Sequence, residues 1–154
     1  MLQPGQLAPA FALPDSDMQI VTLDQLLEKG SLVLYFYPKD DTPGCTMEGL
    51  DFTDRMTDFE AIGATVVGIS RDNCSSHGAF RDKYGLTVRL LADVEGQTCM
   101  DYGVWREKEI HGEMRASILR STFIIGRNGK ILHAFYDVKP KGQAEHTLAS
   151  LAKT

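Results

Sequence analysis

Leu32-Val33-Leu34-Tyr35-Phe36-Tyr37, then Pro38-Lys39-Asp40-Asp41-Thr42-Pro43-Gly44, then Cys45-Thr46-Met47-Glu48, is the stretch from which the rest of the chain can be read. Its first part is an unbroken run of apolar, β-branched and aromatic side chains, the pattern of a strand buried on both faces. Pro38 cannot continue a strand ladder and ends it. Thr42 supplies a capping hydroxyl and Pro43 suits a first helical position, so a helix is predicted to begin close to Cys45. The sulfur then sits in a first turn, where unpaired backbone N–H groups and the positive end of the helix dipole favour an anion. A thiolate is the nucleophilic form of cysteine.

The segment 38–45 fits the signature P-x-x-x-T-x-x-C of peroxiredoxins. The longer string Y-F-Y-P-K-D-D-T-P-G-C-T-x-E resembles the bacterioferritin comigratory protein subgroup, also called PrxQ. The resemblance implies an α/β, thioredoxin-like fold, with a central mixed β-sheet flanked by helices and an N-terminal β-hairpin extension. It also implies reduction of hydrogen peroxide and organic hydroperoxides by a peroxidatic cysteine, here Cys45. The residue types suit that chemistry: an ionised sulfur in line with the O–O bond, and donors for the charge that grows on the leaving oxygen. Thr42 offers a hydroxyl, Cys45 its own backbone N–H, and Pro38 a shield against bulk water. A lone cysteine read without this context is a small buried hydrophobe.

Working outward, 154 residues with 43% hydrophobic content fit one domain over 1–154 with a substantial core. Sixteen basic against twenty-one acidic residues give a net charge of −5 with no basic run, which argues against nucleic-acid and anionic-membrane partners. No apolar run approaches the ~20 residues of a bilayer span. The first ten residues lack a basic and apolar leader pattern, so a cytoplasmic protein is expected. Three cysteines fit thiols kept reduced until they react, and the lack of a Cys-x-x-Cys pair or His-rich cluster argues against zinc. No Gly-rich phosphate loop is visible, and no metal, haem, flavin or nucleotide cofactor is expected.

Residues 8–13 and 19–22 read as short strands around the turn at Pro14 and Asp15, and the string A-P-x-F-x-L-P-D is similar to the start of peroxiredoxins. A short helix is expected over 22–29. After the central strand, one helix is predicted over 45–62, with Phe52, Met56 and Phe59 on a stripe that reaches back through Gly49 to Cys45. Cys45 thus starts on the inward face. Residues 64–70 form a second buried strand and 74–84 a helix ended by Gly85. Right-handed crossovers make the two strands parallel and put Cys45 and Cys74 at the same sheet edge. A third strand is expected over 88–92, with Asp93 capping a short helix that carries Cys99 and Tyr102. The string Y-G-V-W ending at Trp105 also occurs in the subgroup. Residues 107–117 are polar and read as a surface loop; 122–125 and 130–136 read as a hairpin, and a helix follows Pro140.

Arg120, in R-S-T-F-I-I, resembles the active-site arginine of the family, with Arg115 and Arg127 as rivals in another register. A guanidinium beside Cys45 would stabilise the thiolate and donate to peroxide. Glu48 is a supporting residue that could hold that arginine in place. Reaction leaves Cys45 as a sulfenic acid that a thiol must capture. Many members of the subgroup carry a resolving cysteine where this chain has Leu50, and others carry it where this chain has Arg81. Cys45 therefore works with an external thiol, or Cys74 serves as an unusually placed resolver; Cys99 reads as packing. The resemblance suggests a thioredoxin or glutaredoxin-like reductant and a monomer, with a dimer through an exposed aromatic such as Trp105 as the alternative. A thioredoxin-fold redox sensor without turnover is the competing function. A disulfide oxidoreductase would need a neighbouring redox thiol where Met47 and Glu48 stand.

Overall fold

A computed structural model describes residues 1–154, at Lys108 for the backbone alone. A short hairpin comes first: β1 (Ala12–Pro14) pairs antiparallel with β2 (Ile20–Thr22) around Asp15, whose carboxylate accepts the N–H groups of Asp17 and Gln19. It is shorter than predicted because Ala8 N–H bonds instead to the Gly129 carbonyl at 2.9 Å. Thr22 and Gln25 form a reciprocal capping box that starts α1 (Leu23–Leu26), a single turn where 22–29 was expected.

β3 (Ser31–Phe36) is the central strand, and Leu32, Val33, Leu34 and Phe36 are fully buried. Full burial of each such side chain stabilises the fold by roughly 1.5–3 kcal/mol. The single helix predicted over 45–62 is two, α2 (Pro43–Asp54) and α3 (Met56–Ala61). At Arg55 the backbone leaves helical geometry (φ −110°, ψ 11°), and its N–H bonds three residues back to the Phe52 carbonyl. Phe52 and Phe59 stay buried on either side of the break with ring centroids 5.9 Å apart. The apolar stripe reports which face is covered, not whether the hydrogen-bond ladder is continuous.

β4 (Ala64–Ser70) and α4 (Cys74–Tyr84) have the predicted bounds. Asn73 caps α4 by accepting Ser76 N–H at 2.8 Å, and Gly85 ends it in the left-handed region at φ 66°. β5 (Arg89–Ala92) begins one residue late, and the Asp93 carboxylate accepts the N–H groups of Thr98 and Cys99 in α5 (Gln97–Asp101).

The segment expected as a surface loop is a second hairpin, β6 (Trp105–Ile110) against β7 (Glu113–Ile118). His111 (φ 52°) and Gly112 (φ 80°) both adopt the left-handed region of a two-residue hairpin turn. Its β7 strand carries a short alternation, Met114, Ala116 and Ile118 between Glu113, Arg115 and Ser117, that the polar reading of the segment passes over, and it is exposed up to Ile118. Trp105 is not the exposed aromatic expected: it is half-buried against the core, with the Arg71 guanidinium 4.1 Å over its ring.

β8 (Ser121–Ile125), β9 (Ile131–Phe135) and α6 (Gln143–Ala152) complete the chain. The main sheet has the order β5-β4-β3-β8-β9; β5, β4 and β3 are parallel, while β8 runs antiparallel to both β3 and β9. Successive β3 side chains alternate between two cores. Leu32, Leu34 and Phe36 pack with Phe123 and Tyr102, and Val33, Tyr35 and Tyr37 pack with Cys45, Phe52 and Phe80. Because Phe36 pairs with Ser121 in the antiparallel register, Arg120 emerges beside the end of β3, where α2 begins.

Candidate active site

Cys45 occupies the third position of α2 and is 2% exposed. The first intrahelical bond runs from Thr46 N–H to the Thr42 carbonyl at 2.9 Å, so the amides of Gly44 and Cys45 precede the ladder and face the end of the helix. The predicted hydroxyl cap is not made. Thr42 Oγ1 instead donates to the Lys39 carbonyl at 3.0 Å, which folds the loop back on itself and leaves the oxygen lone pairs of Thr42 unspent. Tyr35, stacked on Phe52 with centroids 4.6 Å apart, packs with Cys45 in the same core, and burial holds its phenol well above the ordinary range.

Arg120 bridges the sulfur and a carboxylate. Its Nη2 donates to Cys45 Sγ at 3.3 Å and its Nη1 to Glu48 Oε1 at 2.6 Å. Glu48, one turn beyond Cys45 on the same helix, is fully buried, and its Oε2 has no hydrogen-bond partner among the described residues. Burial pushes its carboxyl up to about 7, against the opposing pull of Arg120. A Cβ on Gly44 would lie 3.3 Å from Arg120 Nη2 and 3.3 Å from Pro140 Cγ, so glycine there leaves space for the guanidinium. A guanidinium on the sulfur, at a helix start whose first amides precede the ladder, forms a donor set for a thiolate and for an oxyanion leaving it.

The other candidates stand on other elements. Pro38 is exposed at the end of β3. Cys74 is half-buried at the first position of α4, and Cys99 is fully buried in α5, where desolvation and Asp93 drive its thiol far up. All three cysteines are free thiols. Leu50 is half-buried on α2, and Arg81 is engaged with Asp82, Asp17 and Ser16. Of the rival arginines, Arg115 pairs with Glu113 on the exposed hairpin, and Arg127 lies beyond the far end of β8.

A buried polar cluster next to this site has no counterpart in the sequence reading. The Asp40 carboxylate accepts Tyr37 Oη at 2.6 Å and Ser76 Oγ at 2.8 Å, and pairs with His77 Nδ1 at 2.7 Å. His77, three residues before Phe80 on the buried face of α4, gave a signal: a histidine with no exposure needs a partner, and Asp40 is it.

Residues 4–134 match the AhpC/TSA family. The chain is 45% identical over 150 residues to the putative peroxiredoxin bcp of Helicobacter pylori, covering 97% of this chain and 98% of that protein. It is 41% identical over 138 residues to peroxiredoxin Bcp of Escherichia coli, covering 90% and 88%. Among solved structures, a cysteine-to-serine mutant of PrxQ from Xylella fastidiosa superposes with a TM-score of 0.92 at 38% identity over 99% and 97% of the two chains. The bacterioferritin comigratory protein of Xanthomonas campestris, studied for alkyl peroxide reduction, gives 0.88 at 38% identity over 93% and 90%. The mixed sheet with flanking helices and N-terminal hairpin is thus the thioredoxin-like fold of these proteins.

Proposed function

We propose, for a chain that belongs to the AhpC/TSA family and within it to the Bcp/PrxQ peroxiredoxins, that Cys45 is the peroxidatic sulfur. Membership makes the protein a thiol-dependent peroxidase, and the redox-sensor reading gives way to it. What supports Cys45 for the role is one observation: its sulfur, buried at the start of α2, lies 3.3 Å from Arg120 Nη2.

In the proposed reaction the Cys45 thiolate attacks the terminal oxygen of HO–OR. An S–O bond forms, the O–O bond breaks, and RO⁻ leaves to take up a proton, giving Cys45–SOH and ROH. Arg120 and the Cys45 amide stabilise the charge as it moves from sulfur to the leaving oxygen. With its own hydrogen committed to Lys39, Thr42 Oγ1 serves as an acceptor for the peroxide O–H rather than as a donor. Glu48 holds Arg120 in place. Pro38 limits access of water.

We assign the second half-reaction to an external dithiol of the thioredoxin or glutaredoxin kind. Its first sulfur displaces water from Cys45–SOH to form a mixed disulfide, and its second sulfur releases the Cys45 thiolate. Leu50 and Arg81 stand where relatives resolve internally, and Cys74 heads a helix capped by Asn73 and bonded through Ser76 to Asp40. Any movement of Cys74 toward Cys45 would undo that start. A monomeric, cytoplasmic, single-domain enzyme completes the reading; Trp105, the aromatic that a dimer would use, is half-buried under Arg71.

The test is hydrogen peroxide consumption with thioredoxin and its reductase, for the wild type and Cys45→Ser. Continuous turnover that vanishes in the variant is expected. Undiminished turnover in Cys45→Ser overturns the assignment, and consumption that stops at one equivalent despite thioredoxin overturns the proposed reductant.

A further inference from the structure

After Tyr37, whose N–H makes a sheet-type bond to the Ile69 carbonyl at 3.1 Å, the chain leaves the ladder for the loop that carries Thr42 and the first turn of α2. The loop is held by side chains reaching another element. Asp40 has a side chain 4% exposed, and it accepts Ser76 Oγ at 2.8 Å and meets His77 Nδ1 at 2.7 Å, both in the first turn of α4. Its backbone N–H donates to Asp72 Oδ2 at 2.8 Å, and Asp72 Oδ2 also accepts Ser70 Oγ at 2.7 Å. The next residue, Asp41, sits in the left-handed region (φ 59°) and accepts Lys83 Nζ at 2.8 Å and Tyr84 Oη at 2.5 Å at the other end of α4. Two consecutive carboxylates thus fasten the loop to both ends of one helix.

The Asp40 fastening is directional at every atom. His77 Nε2 faces the Leu91 carbonyl at 2.9 Å, and a carbonyl only accepts, so this nitrogen carries hydrogen and the ring plane is fixed. Nδ1 then points at Asp40, whose other oxygen is taken by Tyr37 Oη at 2.6 Å. Burial, reinforced by the Asp40 charge, holds the Tyr37 phenol far above its ordinary range, so Tyr37 is the donor. Burying such a polar pair is not in itself a device for stability. What it provides is register: an oxygen, a ring and two hydroxyls that fit together in one arrangement.

We propose that Asp40 and His77 form a positioning pair for the peroxide reaction: they lock the β3–α2 loop to α4, setting where Thr42 and the amides of the α2 first turn stand around Cys45. The proposal rests on Cys45 as the reacting sulfur. Neither residue touches that sulfur, and their effect is on alignment. Displacement of such a site by about 1 Å costs about 100-fold in rate.

The test compares two rates on the whole chain, single-turnover oxidation by hydrogen peroxide in stopped flow and alkylation of Cys45 by monobromobimane. Peroxide needs the aligned donors, whereas alkylation needs only an accessible thiolate. Asp40→Asn and His77→Phe are each expected to slow the peroxide reaction about 10- to 100-fold and alkylation less than about threefold. The double variant should be no slower than the slower single one, as for two halves of one device. A folded Asp40→Asn protein with the wild-type peroxide rate overturns the proposal, as does an equal fall in both rates. If Asp40→Asn fails to fold, Ser76→Ala removes a single donor and is expected to slow peroxide about threefold with alkylation unchanged; an unchanged peroxide rate there overturns it too. Peroxide turnover persisting in Cys45→Ser would instead sink the assignment of the sulfur, an outcome separate from all of these.

Discussion

One guanidinium serves two partners: Arg120 donates from Nη2 to Cys45 Sγ at 3.3 Å and from Nη1 to Glu48 Oε1 at 2.6 Å. The fork makes the position of the charge beside sulfur depend on a carboxylate one helical turn away. Replacing Arg120 with Met should slow peroxide reduction about 100- to 1,000-fold, the scale of a lost oxyanion donor. Lysine should recover little, because an ammonium cannot hold both partners in a fixed plane. Stopped-flow rate constants for the two variants check this, and equal rates for Lys and wild type would contradict the role of the fork.

Glu48 gives the fold a pH signature. Burial lifts its carboxyl from the ordinary 4.5 to about 7 in the folded state. The folded chain then keeps a proton that the unfolded chain releases near pH 4.5, so the stabilisation is fully present below pH 4.5 and is lost as pH rises to about 7. Glu48→Gln has no such proton to lose. Unfolding in urea across that range should show the wild type losing up to roughly 3 kcal/mol more than the variant. Parallel curves would show that the carboxyl is not raised.

Gly44 is where the loop makes room for Arg120. In Gly44→Ala the added methyl lies 3.3 Å from both Nη2 and Pro140 Cγ, so the guanidinium must shift by a few tenths of an ångström. The peroxide rate should fall about three- to tenfold. The melting temperature should barely move, which separates a displaced donor from a damaged fold.

Resolution by an external thiol predicts that Cys74→Ser and Cys99→Ser each keep thioredoxin-driven turnover within about twofold of wild type. Mapping after one equivalent of peroxide should find no Cys45–Cys74 bond. A bond there, or a collapse of turnover in Cys74→Ser, would show that α4 opens to resolve the sulfenate.

At Gly96 the backbone is in the left-handed region (φ 79°), and a Cβ would fall 2.0 Å from the Trp105 ring. Gly96→Ala should destabilise the fold by roughly 2–4 kcal/mol through backbone strain and overpacking. Denaturant unfolding measures it directly.

How far the chain could be read without coordinates follows the range of the interactions. The bounds of β4 and α4 are legible because Gly63 precedes the strand, the polar turn 71–73 follows it and Gly85 ends the helix, and the apolar run of the strand is local. The break at Arg55 is not, since no Gly or Pro marks it and the stripe through Phe52 and Phe59 runs on across it. The hairpin β6–β7 is held by backbone pairing, and the alternation of Met114, Ala116 and Ile118 that marks it is short and set among charged residues.

The sequence alone placed Cys45 at a helix start, because a strand, a breaker and a helical stripe are all written within short windows; Arg120 came only from the resemblance of R-S-T-F-I-I to the family, and Glu48 from its place one turn after Cys45. Tertiary structure alone decided that Thr42 turns its hydroxyl to Lys39, that Arg120 forks between a sulfur and a buried carboxylate, and that Asp40 binds His77 from 37 residues away. Hydrogen-bond direction and desolvation depend on which groups the sheet register brings together, and that register is a property of the folded chain.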